Sequence, residues 1–244
     1  MAAVSFAHAS IVTLKNSLRS EFPDVKSSHL TEALASALGY RTNAALLAAL
    51  SGSEEDRPFV MLDTRRLIDR LQEFGYPRED GFDFEHLVLT STPGVISTTC
   101  DSAHDIDYKN ERAKAWRNLI ICAINAGLTQ KLFTLRPGDN RFGNGQLFDF
   151  ALPDGMPARG WVGDAGFSEL TIQAAVNPKG DRVSSSNAGF AAGDAFASTW
   201  LERERGAWMQ TSMSSFRCRK ELLMKLSALD VAPLGYGDRG RVIM

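Results

Sequence analysis

Cysteine is scarce: the 244 residues contain three, Cys100, Cys122 and Cys218, far apart and without a C-x-x-C pair. An odd, scattered set of thiols rules out a disulfide framework and fits a reducing compartment, so the chain is expected to be cytoplasmic. Long apolar runs are also missing. No uninterrupted stretch of about 18 apolar residues, the length a membrane-spanning helix needs, occurs anywhere, and Met1 to Thr13 carry no basic segment ahead of an apolar one. Charge of one sign is not in excess either. The 27 Lys and Arg against 29 Asp and Glu give a formal net charge of -2, which removes any global attraction to a phosphate backbone, so nucleic-acid binding would need a local basic face.

Catalytic motifs are absent in the same way. There is no G-x-x-x-x-G-K-[ST], G-x-S-x-G, S-x-x-K or H-E-x-x-H, which removes the familiar routes to phosphoryl transfer and hydrolysis. Gly235-Tyr-Gly237-Asp-Arg-Gly240 satisfies G-x-G-x-x-G, but only four residues follow it, too few for the helix N-terminus that would receive a pyrophosphate. What is present is ordinary globular composition, 44% hydrophobic and 23% charged, well away from the disordered corner.

The pattern along the chain predicts an α+β protein: a small N-terminal helical module (1–52), a mixed α+β domain (59–232) and a loose glycine-rich tail (233–244). Phe6, Leu14, Leu18 and Phe22 recur near helical spacing. Leu30, Leu34 and Leu38 predict a second helix that Gly39 ends, and Thr42 caps a third through Leu46, Leu47 and Leu50. The small, charged stretch 51–58 reads as a linker. Phe59 to Asp63 suits a strand, Thr64 opens a helix, and Phe82 to Thr92 reads as β-rich. The strongest helical signal is 106–127, where Ala113, Trp116, Ile120, Ala123 and Ile124 form one stripe. From Leu132 to Asn177 the period changes to two and turn residues punctuate it, which predicts an antiparallel β-meander packed with several helices. Phe190 to Trp208 and Thr211 to Leu229 read as two closing helices with Phe196, Trp200, Phe216, Leu222, Leu223 and Leu226 toward the core.

Candidate chemistry is sparse. Cys100, Asp101, His104, Asp105 and Asp107 form the densest group of ligand-type side chains, but Asp before a helix commonly serves as an N-cap, and neither a metal nor a cofactor is assigned. Cys218 lies between Arg217 and Arg219, whose charge would lower its pKa if it were exposed. Leu30 to Leu50 has the spacing of a helix-turn-helix, yet Asn43 to Leu50 is almost wholly Ala and Leu and offers little for base readout. Two sets of residues suit a binding surface. One is Arg136, Arg141, Arg159 and Trp161 in the turn-rich strands, of the types enriched in protein interfaces. The other is the late basic set Arg203, Arg205, Arg217, Arg219 and Lys220, interleaved with aromatics.

Four stretches carry a resemblance: Pro23 to Leu50, Ala115 to Arg141, Gly163 to Gly180 and Ala188 to Trp208. They resemble uncharacterised accessory proteins of plasmids and integrative conjugative elements of Gram-negative bacteria. Such elements carry small, motif-poor inhibitors of host defence, among them anti-CRISPR proteins. The resemblance thus implies a non-enzymatic inhibitor whose partner is a host protein or ribonucleoprotein complex, most concretely Cas subunits, with no membrane. The alternatives are a DNA-binding accessory protein of a conjugative element and an enzyme with an unrecognised Cys/His site.

Overall fold

The computed structural model describes residues 2–50, 57–77, 81–89, 92–97, 108–179, 193–204, 206–211 and 215–240. It shows an α+β protein in two units, Met1–Thr98 and Thr99–Met244.

The first unit is organised on a strand that the sequence pattern did not reveal. β1 (Ala2–Ser5) is the centre of a three-stranded antiparallel sheet, between β2 (Phe59–Met61) and β3 (Val95–Ser97). Four small residues, all buried, give too short a run to show alternation, and so the stretch passes for the start of a helix. Five helices accompany the sheet: α1 (His8–Glu21), α2 (Ser27–Ala37), α3 (Asn43–Leu50), α4 (Thr64–Glu73) and α5 (Glu85–Leu89). Leu14, Leu18, Leu30, Leu34, Leu67 and Leu71 share one core. Both α2 and α4 stop in the same way. Gly39 and Gly75 adopt φ +87° and +86°, the N–H of each donates to the carbonyl of Ser36 or Gln72, and Tyr40 and Tyr76 donate back to Ala35 and Leu71. Each arrangement is a Schellman cap that settles the last carbonyls of its helix.

This unit corrects the expected domain boundary. Because Ser5, Val4 and Ala3 pair with Phe59, Val60 and Met61, the helices of 1–52 and the segment after the expected linker build one sheet and one core, and the division falls near residue 98. The β-rich reading of Phe82 to Thr92 is also corrected. Asp83 accepts the Glu85 N–H at 3.1 Å, and this Asx turn starts α5.

The second unit is a mixed seven-stranded sheet. β4 (Gln146–Ala151), β5 (Pro157–Gly166), β6 (Glu169–Val176), β7 (Ala195–Glu202) and β8 (Trp208–Gln210) lie in sequence order and pair antiparallel, as the meander signal predicts for the first three. β9 (Arg217–Cys218) takes the first half of β7 and β8 the second. β10 (Gly237–Gly240) closes the β8 edge in parallel. The helix α6 (Glu111–Thr129) packs on β4 to β7, and α7 (Lys220–Ser227) packs on α6. The predicted stripe of α6 is buried, facing Val162, Leu170, Ile172 and Leu201 from alternate positions of three strands. Gly160 is required there: a Cβ would sit 2.2 Å from the Phe148 ring, which rests on the glycine across the strand pair.

Two expectations fail in this unit. The helix predicted for Phe190 to Trp208 is β7 and β8 over its described part. Phe196 and Trp200 are four apart, which places them on one face of a helix but equally on one face of a strand. Nor is the tail from Pro233 loose as far as Gly240. Tyr236 is fully buried and donates to Asn125 Oδ1 at 2.9 Å, and the glycines that suggested looseness let Gly237 lie beside Trp208 in the parallel pair.

The polar edge of α6 holds these last elements. Asn118 is buried and its Nδ2 donates to the carbonyls of Leu226, Ser227 and Leu229 at 2.9, 3.3 and 2.9 Å, at the end of α7. Replacing it by alanine leaves these carbonyls without their donor in the interior. Asn118→Ala is therefore expected to lower stability by about 1–3 kcal/mol, read as a drop in the urea midpoint, with little change in the far-ultraviolet circular dichroism of the folded state.

Candidate interaction site

The described candidate residues do not form one surface. Arg136 and Arg141 lie in the loop after α6, beside the tip of the β5–β6 hairpin. Arg217, Arg219 and Lys220 lie at the opposite end of the sheet, beside the start of β7 and of α7. Arg205 and the Cys100 to Asp107 cluster fall outside the described residues.

Arg203 is not a surface residue at all. Its relative exposure is 0%, and its guanidinium is spent on the protein's own backbone. Nε donates to the Ser168 carbonyl at 3.2 Å, and Nη1 to the carbonyls of Thr134 and Asp139 at 2.9 and 3.1 Å. Nη2 donates to Asn140 Oδ1 at 2.5 Å. Burial pulls its pKa down, and the carboxylates of Asp139, Asp164 and Glu202 oppose that pull. The early expectation of Arg203 as a binding residue is thereby corrected: it ties the 134–140 loop and the β5–β6 turn to the end of β7.

More bonds join the same two segments. The Gly138 N–H donates to Ser168 Oγ at 2.9 Å, and Asn140 Nδ2 donates to Asp164 Oδ2 at 3.0 Å. Asp164 Oδ1 also takes the Gly166 N–H at 2.7 Å. Asp139 accepts from Thr134 Oγ1 at 2.7 Å and from Arg141 through Nε and Nη2 at 3.1 and 3.0 Å. Burial alone would raise the Asp139 carboxyl, but the hydrogen bonds from Arg141 and Thr134, with the charges of Arg141 and Arg203, hold it below the usual carboxylate range.

What this framework displays is Phe167. The hairpin is closed by two residues, Phe167 and Ser168, with φ +50° and +57°, a primed turn that ordinarily takes Asn-Gly. An L side chain in that conformation costs roughly 1–2 kcal/mol. Phe167 accepts it while 88% exposed, the most exposed of the large apolar side chains described. The sequence pattern marked neither this turn nor Phe167. The signal that could have found it is a bulky aromatic at a position where a two-residue hairpin calls for Asn or Gly.

The other candidates are accounted for by the fold. Arg159 pairs across the strands with Asp149 at 2.7 Å. Trp161 is half-buried; its ring lies over Gly163 and Gly145, where a Cβ would come within 2.1 and 2.8 Å, and it packs on Ala175 and Phe196. Arg219 pairs with Asp194 at 3.1 Å beside an open cleft of about 330 Å³ lined by Met156, Asn177, Glu221, Leu222 and Lys225. Burial pushes the Cys218 thiol up to about 11, with Arg112 lowering it and Glu221 raising it, so the flanking arginines do not make it a thiolate. Burial, then the charge of Asp154, likewise raises Cys122 to about 11. In the helix-turn-helix-like pair, α3 buries Leu46 and Leu50 and exposes Ala44, Ala45, Leu47, Ala48 and Ala49, which supply no donor to a base edge.

Among the described residues no group of three or more His, Cys, Asp or Glu is placed to hold a metal ion. No helix there is long and apolar enough to cross a membrane. Comparison with known proteins finds no matching family model, no matching curated protein and no matching solved structure.

Two outcomes follow from the arginine anchor. Arg203→Met leaves the carbonyls of Ser168, Thr134 and Asp139 and the Asn140 amide oxygen without their shared donor and is expected to cost at least about 1–3 kcal/mol, measured by urea unfolding. The Asp139 carboxyl is more acidic folded than unfolded, so its contribution is complete above its unfolded value, near pH 4, and is lost as pH falls through the lower folded value. The stability difference between the natural protein and Asp139→Asn, measured by urea midpoints from pH 6 to pH 3, should accordingly shrink on acidification.

Proposed function

We propose that the chain is a non-enzymatic protein-binding inhibitor encoded by a mobile genetic element, most concretely an anti-CRISPR protein that binds a Cas effector complex and blocks or disassembles it. The observation that carries the reading is the end of the second sheet. An aromatic side chain that contributes nothing to the core is held in solvent on a costly backbone, and a buried arginine fixes the loops around it. Backbone cost concentrated at an exposed, rigid site is the signature of a surface kept for recognition. A binder with a preformed surface loses less freedom on association than one that must order its loops.

The two described cysteines, Cys122 and Cys218, support binding over cysteine catalysis. Cys122 and Cys218 both stay thiols at neutral pH, whereas nucleophilic catalysis by cysteine runs through the thiolate. The resemblance of the four sequence stretches to accessory proteins of conjugative elements supplies the biological setting, and a Cas ribonucleoprotein is the partner it suggests.

A titration tests the proposal. Purified Cas effector complexes of the main types found in Gram-negative bacteria, loaded with guide RNA, are assayed for target-DNA cleavage against increasing amounts of the protein. Inhibition of one complex is expected to saturate at a fixed stoichiometry and to be unaffected by a chelator. Inhibition by substoichiometric protein that grows with time would mean catalysis and sink the proposal in favour of an enzyme. Loss of cleavage through protein bound to the target DNA, falling steeply with salt, would instead support the DNA-binding accessory protein.

A further inference from the structure

The cleft at the other end of the second sheet has one wall that the backbone fixes. At the end of β6, Asn177 takes φ +48° and its N–H donates to the Pro157 carbonyl at 2.9 Å. Gly193 passes so close that a Cβ would sit 2.2 Å from the Val176 carbonyl oxygen, and the N–H of the next residue, Asp194, donates to that oxygen at 2.8 Å. The Asp194 carboxylate then accepts from Asn177 Nδ2 at 2.9 Å and from Arg219 Nε at 3.1 Å. The Arg219 N–H donates to the Asp194 carbonyl at 3.0 Å, which ties the start of α7 to this wall. Here the carboxylate is already matched by a cation.

The facing wall is α7. Lys225 follows Glu221 by four positions and Leu222 by three, so the three side chains share a face, and all of them line the cleft. Glu four residues ahead of Lys is the order that pairs best along a helix. Yet no ion pair joins Glu221 to Lys225, and neither side chain bonds to any other described residue. The cleft, about 330 Å³, is at the small end of ligand pockets, which run from roughly 300 to 1,000 Å³. It offers one uncommitted anion, one uncommitted cation, and the apolar side chains of Leu222 and Met156.

We infer that this cleft binds a free α-amino acid with an apolar side chain. The ammonium lies against Glu221, the carboxylate against Lys225, and the side chain against Leu222 and Met156. The inference is independent of the protein-binding reading. A phosphate fits less well, because its charge would face Glu221 as well as Lys225, and a divalent cation meets Lys225 with the same disadvantage. The cleft is open, so much of the ligand stays in water and the dissociation constant is expected to be millimolar.

Titration of the ¹⁵N-labelled protein with L-leucine, followed by two-dimensional NMR, tests the assignment. Leucine is expected to shift the amide resonances of Asn177, Asp194 and α7 saturably. L-Leucinamide, which lacks the carboxylate, and N-acetyl-L-leucine, which lacks the ammonium, should each bind roughly tenfold more weakly, the loss of one charged hydrogen bond. Lys225→Met should weaken leucine by a similar factor and leave leucinamide unchanged. Glu221→Gln should do the same to leucine and leave N-acetyl-leucine unchanged. Both side chains are exposed, so both variants are expected to keep the natural urea midpoint, which separates lost recognition from lost fold. The assignment is overturned if no saturable shift appears up to the solubility limit of leucine, or if leucine and its two analogues bind equally. Equal weakening of all three ligands by either variant would overturn it as well.

Discussion

A guanidinium without contact to water organises the end of the second sheet. Arginine keeps its charge even where burial disfavours it, so once Arg203 lies inside, the surrounding chain must present oxygens to it. Three main-chain carbonyls and the Asn140 amide oxygen do so. These oxygens come from segments 35 to 69 residues away in sequence, so one side chain sets the path of loops that no hydrophobic pattern could specify. An apolar residue of equal volume would fill the space but leave the carbonyls stranded, and for that reason the loops and the arginine stand or fall together.

The same economy recurs along α6. Its apolar stripe binds the sheet, while Arg117, Asn118 and Asn125 on its polar edge receive the chain after α7. Arg117 donates to Asp238 Oδ2 at 2.6 Å and to the Val231 carbonyl at 3.2 Å, Asn125 Nδ2 donates to Ala232, and the Leu234 N–H donates to Asn125 Oδ1. Segment 229–236 has no regular structure, yet its backbone is bonded at successive points to one helix. Buried polar groups thus do for the irregular parts of this unit what periodic burial does for the strands.

The sequence made the fold class legible, along with α6, the three-stranded meander and the helix stop at Gly39, because each rests on local periodicity or on a residue with a special backbone. It misled wherever partners lie far away in the chain. β1 is four small residues whose strand character comes from pairing with Phe59–Met61 and Val95–Ser97. Within β7, a spacing of four is common to both periods, and only the neighbouring strands decide between them. Arg203 sits in a charged string, Glu202 to Arg205, and the pattern there suggests a solvated face; its burial depends on carbonyls contributed by distant loops. Phe167 was passed over because an exposed aromatic in a turn has no periodic signature at all.

The parallel pairing of β10 carries a kinetic consequence. Tyr108 donates to the Asp238 carbonyl and Arg117 to its carboxylate, across 130 and 121 residues of chain, and β10 covers the edge of β8, which precedes it by about thirty residues. Contacts of such separation are slow to close, because the entropy of the intervening loop is lost before any contact forms. On the ribosome, the strands through β9 and the helix α6 emerge with the β8 edge uncovered, and the sheet stays open to pairing with other chains until Gly237 to Gly240 have left the exit tunnel. Pairing of β10 is thus a late step among the described strands, and it removes the β8 edge, though not the β4 edge, from pairing with other chains.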